Sequence, residues 1–365
     1  MECKDSTGND PYAWQDSLYK LFSEVGFRGI IDAKPSAGKS RGACKILKSY
    51  LDVFGESEVW IVGPNNAVLD VWTPYIEEFG FDVKCFKPLG AVKHLSSGQK
   101  PDFMIIDECQ FVNSPEWGKI LNYGVPHLLG LSGTPEGSEK RIGPIFFTRG
   151  WEEVNIAPTT IHYITFTPSV DEMKSYRFWT HKAEEFKEKN TWANIKNSDE
   201  LRMIYLNRRR ASHRMASRLP IALELIKLHL GERTMVFCEL TKQVKDLSKL
   251  LTKHKIAHCV HITGKEELDK FKDGEADILL SVKMVSEGFS DTSISCGIAV
   301  SSASSERSHV QEIGRIIRPK EGKKSNIYAL LANGTSDDQI MKKNDFTKEN
   351  IVVLEWEEWS KQLMI

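Results

Sequence analysis

Short apolar runs bounded by turn residues recur along this chain, and the stretches between them carry apolar positions at helical spacing. In the first half the runs end at Ile30-Ile31, span 58–62 and 103–106, and close with 127–131. In the second half residues 160–166 alternate as a strand, and further buried strands are predicted over 234–238, 258–262, 277–282 and 296–300. Helical spacing is found over 12–21, from Gly38 through Leu47, around Leu69, Trp72 and Ile76, over most of 171–230, and over 243–251 and 268–271. Pro168-Ser169-Val170-Asp171-Glu172 reads as a helix start, whereas the pattern loosens between Arg141 and Asn155. Strand–helix alternation of this kind predicts an α/β protein with two parallel sheets in tandem.

Composition narrows this picture without deciding it. At 365 residues the chain suits two domains of ordinary size, and 41% apolar with 27% charged residues is a globular balance. No run approaches the roughly 20 apolar residues of a membrane span. Met1-Glu2-Cys3-Lys4-Asp5 lacks the basic-then-apolar order of a signal peptide, so a cytoplasmic location and no membrane partner are expected. The seven cysteines are scattered and never form a C-x-x-C pair, which points away from a zinc site or a disulfide framework. A net charge of −1 excludes a uniformly basic coat, leaving only local basic surfaces.

Candidate chemistry begins at Ile30-Ile31-Asp32-Ala33-Lys34-Pro35-Ser36-Ala37-Gly38-Lys39-Ser40. A strand end runs into a small-residue loop that opens a helix, so the backbone N–H groups around Ser36, Ala37 and Gly38 can cradle phosphate. Lys39 then reaches the β and γ phosphates and Ser40 reaches Mg²⁺. Upstream, Gln15 offers an amide donor and acceptor to an adenine edge, or simply faces solvent. The buried run Phe103–Ile106 ends in Asp107-Glu108, where the first carboxylate holds Mg²⁺ and the second accepts a proton from the attacking water. Ser132-Gly133-Thr134 ends another run and supplies hydroxyls for a relay. Arg202, Arg208, Arg209, Arg210, Arg214 and Arg218 make 202–218 the most basic stretch, read either as a solvated helix face or as a nucleic-acid contact. Gln311-Glu312-Ile313-Gly314-Arg315-Ile316-Ile317-Arg318 places two arginines three apart, suited to a transferring phosphoryl group.

The order of these stretches resembles superfamily 2 helicases over roughly residues 12–335. Gln15 matches the adenine-reading motif, Ala33–Ser40 motif I, Pro64-Asn65 motif Ia, Asp107-Glu108-Cys109-Gln110 motif II and Ser132-Gly133-Thr134 motif III. Phe237–Leu240, Ser281–Ser290 and Gln311–Arg318 resemble motifs IV, V and VI. The last of these, with Pro319-Lys320 and Gly322-Lys323-Lys324, is closer to DNA-repair, restriction-subunit and phage branch-migration members than to RNA helicases. Departures are Ala33 and Ser36 at common glycine positions, Gln110 in place of His, and Ser290 followed by Asp291 where relatives place an Asp near the ribose.

The resemblance implies two RecA-like domains, 1–153 and 154–345, with the nucleotide cleft between them, and a C-terminal tail, 346–365. It implies ATP and Mg²⁺ as cofactors, and a compact monomeric DNA helicase or translocase of phage type acting on duplex or branched DNA. Lys39, Asp107, Glu108, Gln311, Arg315 and Arg318 are the expected catalytic set, and Gly288 joins the nucleotide-binding residues. Pro64, Asn65, Thr263, Gly264, Ser281 and Ser286 are the expected nucleic-acid contacts, with DNA favoured over RNA. Remodelling or annealing without processive unwinding, and a nucleotide-gated clamp, are the alternatives. Trp356 and Trp359 in the tail either pack back on the second domain or receive a protein partner.

Overall fold

Runs of four to six apolar residues can be buried on both faces only in sheets covered by helices on either side, and the computed structural model of the chain contains two of them. The structure describes residues 12–154, 156–191, 195, 198–282, 291–301, 314, 316–340 and 351–363. The chain divides into two compact units, the first ending at Ile156 and the second beginning at Ala157.

In the first unit β1 (Arg28–Ala33), β2 (Val59–Val62), β3 (Lys84–Phe86), β4 (Phe103–Asp107), β5 (His127–Ser132) and β6 (Ile145–Arg149) form one sheet in the order β3-β2-β4-β5-β1-β6. Every pairing is parallel. Alternation of side chains splits the strands between two cores. Ile31, Ile61, Ile105 and Leu129 face one, shared with Ala43, Leu47 and Tyr50 of helix Lys39–Phe54. Ile30, Trp60, Met104, Ile106 and Leu128 face the other, shared with Ala91 and Leu95 of helix Pro88–Ser96.

Two edge strands of this unit depart from the sequence reading, as does Ser325–Ala332 in the second unit, a buried strand which that reading left out. β6 lies in the stretch read as loosened, because it is only half-buried and joins β1 through a register shift between Ile30 and Ile31. β3 is three residues long and largely exposed, so it has no apolar run to betray it. The helix expected over 12–21 is a 3₁₀ turn, Ala13–Ser17, followed by an α-helix, Leu18–Glu24.

The second unit holds β7 (Thr159–Phe166), β8 (Thr234–Cys238), β9 (Cys259–Ile262), β10 (Lys265–Glu266), β11 (Ile278–Val282), β12 (Cys296–Ala299), β13 (Ser325–Ala332) and β14 (Ile351–Glu355). Their order is β10-β9-β11-β8-β12-β13-β7-β14, parallel except for the short β9–β10 hairpin. Helices Arg218–Leu228 and Thr241–Lys253 contribute Ile221, Leu225, Val244 and Leu247 to its core. Between β7 and β8, helices Val170–Lys189 and Asp199–His213 pack together over a small core of Ala183, Leu201 and Ile204. The tail adds a strand: β14 pairs with β7 along Ile351 to Glu355, and Trp356 and Trp359 of the following helix pack against the core. No helix among the described residues is long and apolar enough to cross a membrane.

Candidate functional site

The carboxyl ends of β4, β5 and β1 are neighbours in the sheet, so the polar residues that follow them meet at one edge of the first unit. After β1 the chain turns at Lys34, where Ala37 N–H donates to the Lys34 carbonyl at 3.2 Å. Ser36 sits at φ 65° and Gly38 at φ 91°, both left-handed. The common glycine that Ser36 replaces therefore answers a backbone demand that a side chain meets at a cost of roughly 1–2 kcal/mol. Helix Lys39–Phe54 starts directly after Gly38, aiming its unpaired N–H groups into the loop. Lys39 Nζ donates to the Ala33 carbonyl at 2.6 Å and the Lys34 carbonyl at 3.3 Å. Burial lowers its pKa, against the pull of Glu108, Asp107 and Asp32.

Gln15 is fully buried against this loop, its amide donating to the Gly38 carbonyl at 3.0 Å. A Cβ on Gly38 would come within 2.8 Å of that amide nitrogen, so the close approach itself requires glycine there. The solvent-facing alternative for Gln15 is thereby corrected. Its Oε1 is buried with no hydrogen-bond partner among the described residues, an acceptor of the kind an exocyclic adenine amine satisfies.

Across the edge, Asp107 accepts from the Trp72 indole at 3.0 Å and from the Glu108 backbone N–H at 2.9 Å. Burial first, and then the adjacent Glu108 charge, push its carboxyl above the ordinary range, while Trp72 and Lys39 oppose the shift. Trp72 escaped the sequence reading as a functional residue. It is a buried apolar position on a helical stretch, and only the fold brings its N–H to a carboxylate 35 residues away.

Glu108 sits at φ 53° and ψ 50°, a left-handed conformation for a residue with a side chain. Gln110 Nε2 donates to Glu108 Oε2 at 2.6 Å, and Gln110 Oε1 accepts from the Ser132 hydroxyl at 2.6 Å. That hydroxyl in turn accepts from Thr134 N–H at 2.9 Å. The residues thus form one relay from the carboxylate after β4 to the turn after β5. A Cβ on Gly133 would stand 3.3 Å from the Ala33 carbonyl, which places that turn against the loop that follows β1.

In the second unit Arg318 lies in the turn before β13, its carbonyl accepting from Lys323 Nζ at 2.9 Å. Lys323 also binds the Ile316 carbonyl at 2.6 Å, and Ser325 Oγ donates to the same oxygen at 3.1 Å. Gln311, Arg315, Gly288 and Ser286 lie outside the described residues. Asp291 is engaged by Arg233 at 3.0 Å and by Ser293 N–H at 2.8 Å.

The expected nucleic-acid contacts do not share one environment. Asn65 caps helix Asn66–Asp70 by accepting from Val68 N–H at 2.9 Å, and Pro64 beside it is half-buried. Thr263 and Gly264 form the exposed β9–β10 turn, with Gly264 at φ 83°. Ser281 is 1% exposed inside β11, which runs on to Val282.

The basic stretch is corrected in part as well. Arg218 has no solvent exposure and pairs with Asp337, while its other donors reach the Val300 carbonyl at 3.1 Å, the Leu330 carbonyl at 2.7 Å and Ser212. It is a structural hub and not part of a surface.

Comparison with known proteins bears on the family and the fold. Residues 217–320 match the family model described as the helicase conserved C-terminal domain. A DNA 3'-5' translocase XPB2 from Sulfurisphaera tokodaii is 23% identical, the alignment covering 87% of this chain and 80% of the relative. Among solved structures, S. cerevisiae Dbp5 bound to RNA and ADP BeF3 gives a TM-score of 0.64 at 11% identity, covering 95% of this chain and 90% of that one. The Pyrococcus furiosus Hef helicase domain gives 0.58 at 14% identity, covering 91% and 97%. These likenesses carry the fold: two tandem RecA-like domains.

Proposed function

We propose that this chain is a superfamily 2 helicase, hence a nucleic-acid-dependent ATPase, and a translocase that acts on DNA. The observation that carries the reading is the convergence of Lys39, Asp107, Glu108, Gln110 and Ser132 at adjoining strand ends of one sheet. Supporting DNA over RNA are the stretch Gln311–Lys320, which resembles that of DNA-directed members, and the XPB2 relative, itself described as a DNA translocase.

ATP with Mg²⁺ supplies a polarised γ-phosphoryl group and a good leaving group. Around it the chain has distinct tasks. Gln15 presents its unpaired oxygen to the base. Backbone N–H groups of Ser36, Ala37 and Gly38 would hold phosphate oxygens, Ala37 giving up its bond to the Lys34 carbonyl and Lys39 its two loop carbonyls. Ser40 and Asp107 would hold the metal, Asp107 being fixed in orientation by the Trp72 indole. Glu108 takes the proton of the attacking water, and Gln110 fixes its carboxylate from the side. On the resemblance to motif VI, Gln311, Arg315 and Arg318 are assigned to the same reaction, the arginines because planar guanidinium forks suit phosphate oxygens.

Turnover and directional movement should be measured in parallel on single-stranded DNA, duplex DNA, a branched junction and RNA. DNA should stimulate hydrolysis and support displacement of a bound roadblock, and RNA should do neither. Stronger stimulation by RNA than by every DNA form would overturn the choice of substrate.

A further inference from the structure

Six arginines crowd 202–218, and the fold separates them into two groups. Arg218 is the buried hub, Arg209 pairs with Glu239 at 3.3 Å, and Arg208 lies over the rings of Tyr176 and Tyr205 at 5.8 and 4.9 Å. Arg202, Arg210 and Arg214 remain exposed and make no ion pair with any described residue. Sequence explains two of these absences. The residues three and four away from Arg210 are Leu206, Asn207, His213 and Arg214, and those around Arg214 are Arg210, Ala211, Ser217 and Arg218, so neither has an acidic neighbour on its own face. Helix Val170–Lys189, packed alongside, behaves oppositely: Lys174 pairs with Asp171 and Lys189 with Glu185.

Helical geometry puts Arg202, Leu206, Arg210 and Arg214 in one row at four-residue steps, rising about 6 Å each. Met203 lies beside them, and it and Leu206 are 48% and 37% exposed. From this row we infer that the outer face of helix Asp199–His213 is a docking surface for the phosphate backbone of a nucleic-acid strand, its arginines on phosphates and Leu206 and Met203 against sugar. Charge chooses the occupant: three exposed guanidiniums with no ion pair to a described residue flank only two exposed apolar side chains, which suits a polyanion. Here a guanidinium stands on each side of a small apolar patch. The inference rests on the DNA-translocase reading and extends it to a surface outside the helicase motifs.

The test is DNA binding by the full chain at several salt concentrations, with RNA as a parallel arm. Arg202→Gln/Arg210→Gln should lower affinity more than tenfold and make the slope of log K against log salt shallower by about 1.4–1.8, at roughly 0.7–0.9 per phosphate contact. Leu206→Gln should weaken binding with the slope unchanged, since no counterion is involved. Both variants should keep the wild-type circular dichroism and DNA-free ATP turnover. A double variant with unaltered affinity and slope would overturn the docking surface and leave the translocase reading intact. A wild type that binds neither DNA nor RNA would overturn both.

Discussion

A guanidinium without solvent survives only when its donors are met, and Arg218 meets this condition with Asp337, the Val300 and Leu330 carbonyls and Ser212. Asp337 also accepts from Ala332 N–H at 3.1 Å, so one carboxylate joins the end of β13 to the start of helix Arg218–Leu228. Asp337→Asn removes the charge and keeps the shape, leaving Arg218 buried and uncompensated. Urea denaturation should show a loss of about 3–5 kcal/mol, and a loss below 1 kcal/mol would mean that the carbonyls suffice. Nothing local in the sequence distinguishes Arg218 from Arg214, because its partner lies 119 residues away. Gln15 shows the reverse case: its place ahead of the loop at Lys34–Gly38 was legible, while its burial was not. Trp72 was visible only as an apolar position, since a donor's target is a property of the fold.

Among the elements, helix Val170–Lys189 was the most openly announced. Ser169 accepts from Glu172 N–H, and Glu172 reaches back to Ser169 N–H at 2.8 Å, a capping box written in adjacent residues. The same carboxylate also accepts from Ser217 N–H at 2.9 Å, which joins this helix to the turn before Arg218. Burial alone would raise the Glu172 pKa, but donors from Ser217 and Ser169 outweigh it and hold the group below its usual 4.5. Its contribution to stability is therefore fully present above 4.5 and is lost as pH falls through the lower folded value. Thermal unfolding between about pH 6 and pH 3 should show Glu172→Gln less stable at the upper end, with the difference closing in acid. A gap that persists unchanged at low pH would contradict this sign. β6 and β14 were less legible for one reason: both are edge strands, half-exposed, and their identity comes from the partner they pair with.

Across the whole molecule, two parallel sheets could be read in outline because strands buried on both faces must be continuously apolar, and such runs are short and conspicuous. Site order was legible for a related reason. In these sheets the chemistry follows the strand ends, so Lys39, Asp107-Glu108 and Ser132 each appear just after an apolar run. What the chain order withheld was connectivity: the relay from Glu108 through Gln110 to Ser132, and the Trp72 bond to Asp107, join residues only through the strand order β2-β4-β5. The account turns on Glu108 as the proton acceptor of a DNA-stimulated ATPase. ATP hydrolysis by the wild type and Glu108→Gln, with and without DNA, tests it most directly when nucleotide binding is measured on the same samples. DNA-stimulated turnover that falls at least about 100-fold in Glu108→Gln, with nucleotide binding retained, is the expected result. Equal turnover in the two proteins, or none in a wild type that binds ATP and DNA, would contradict it.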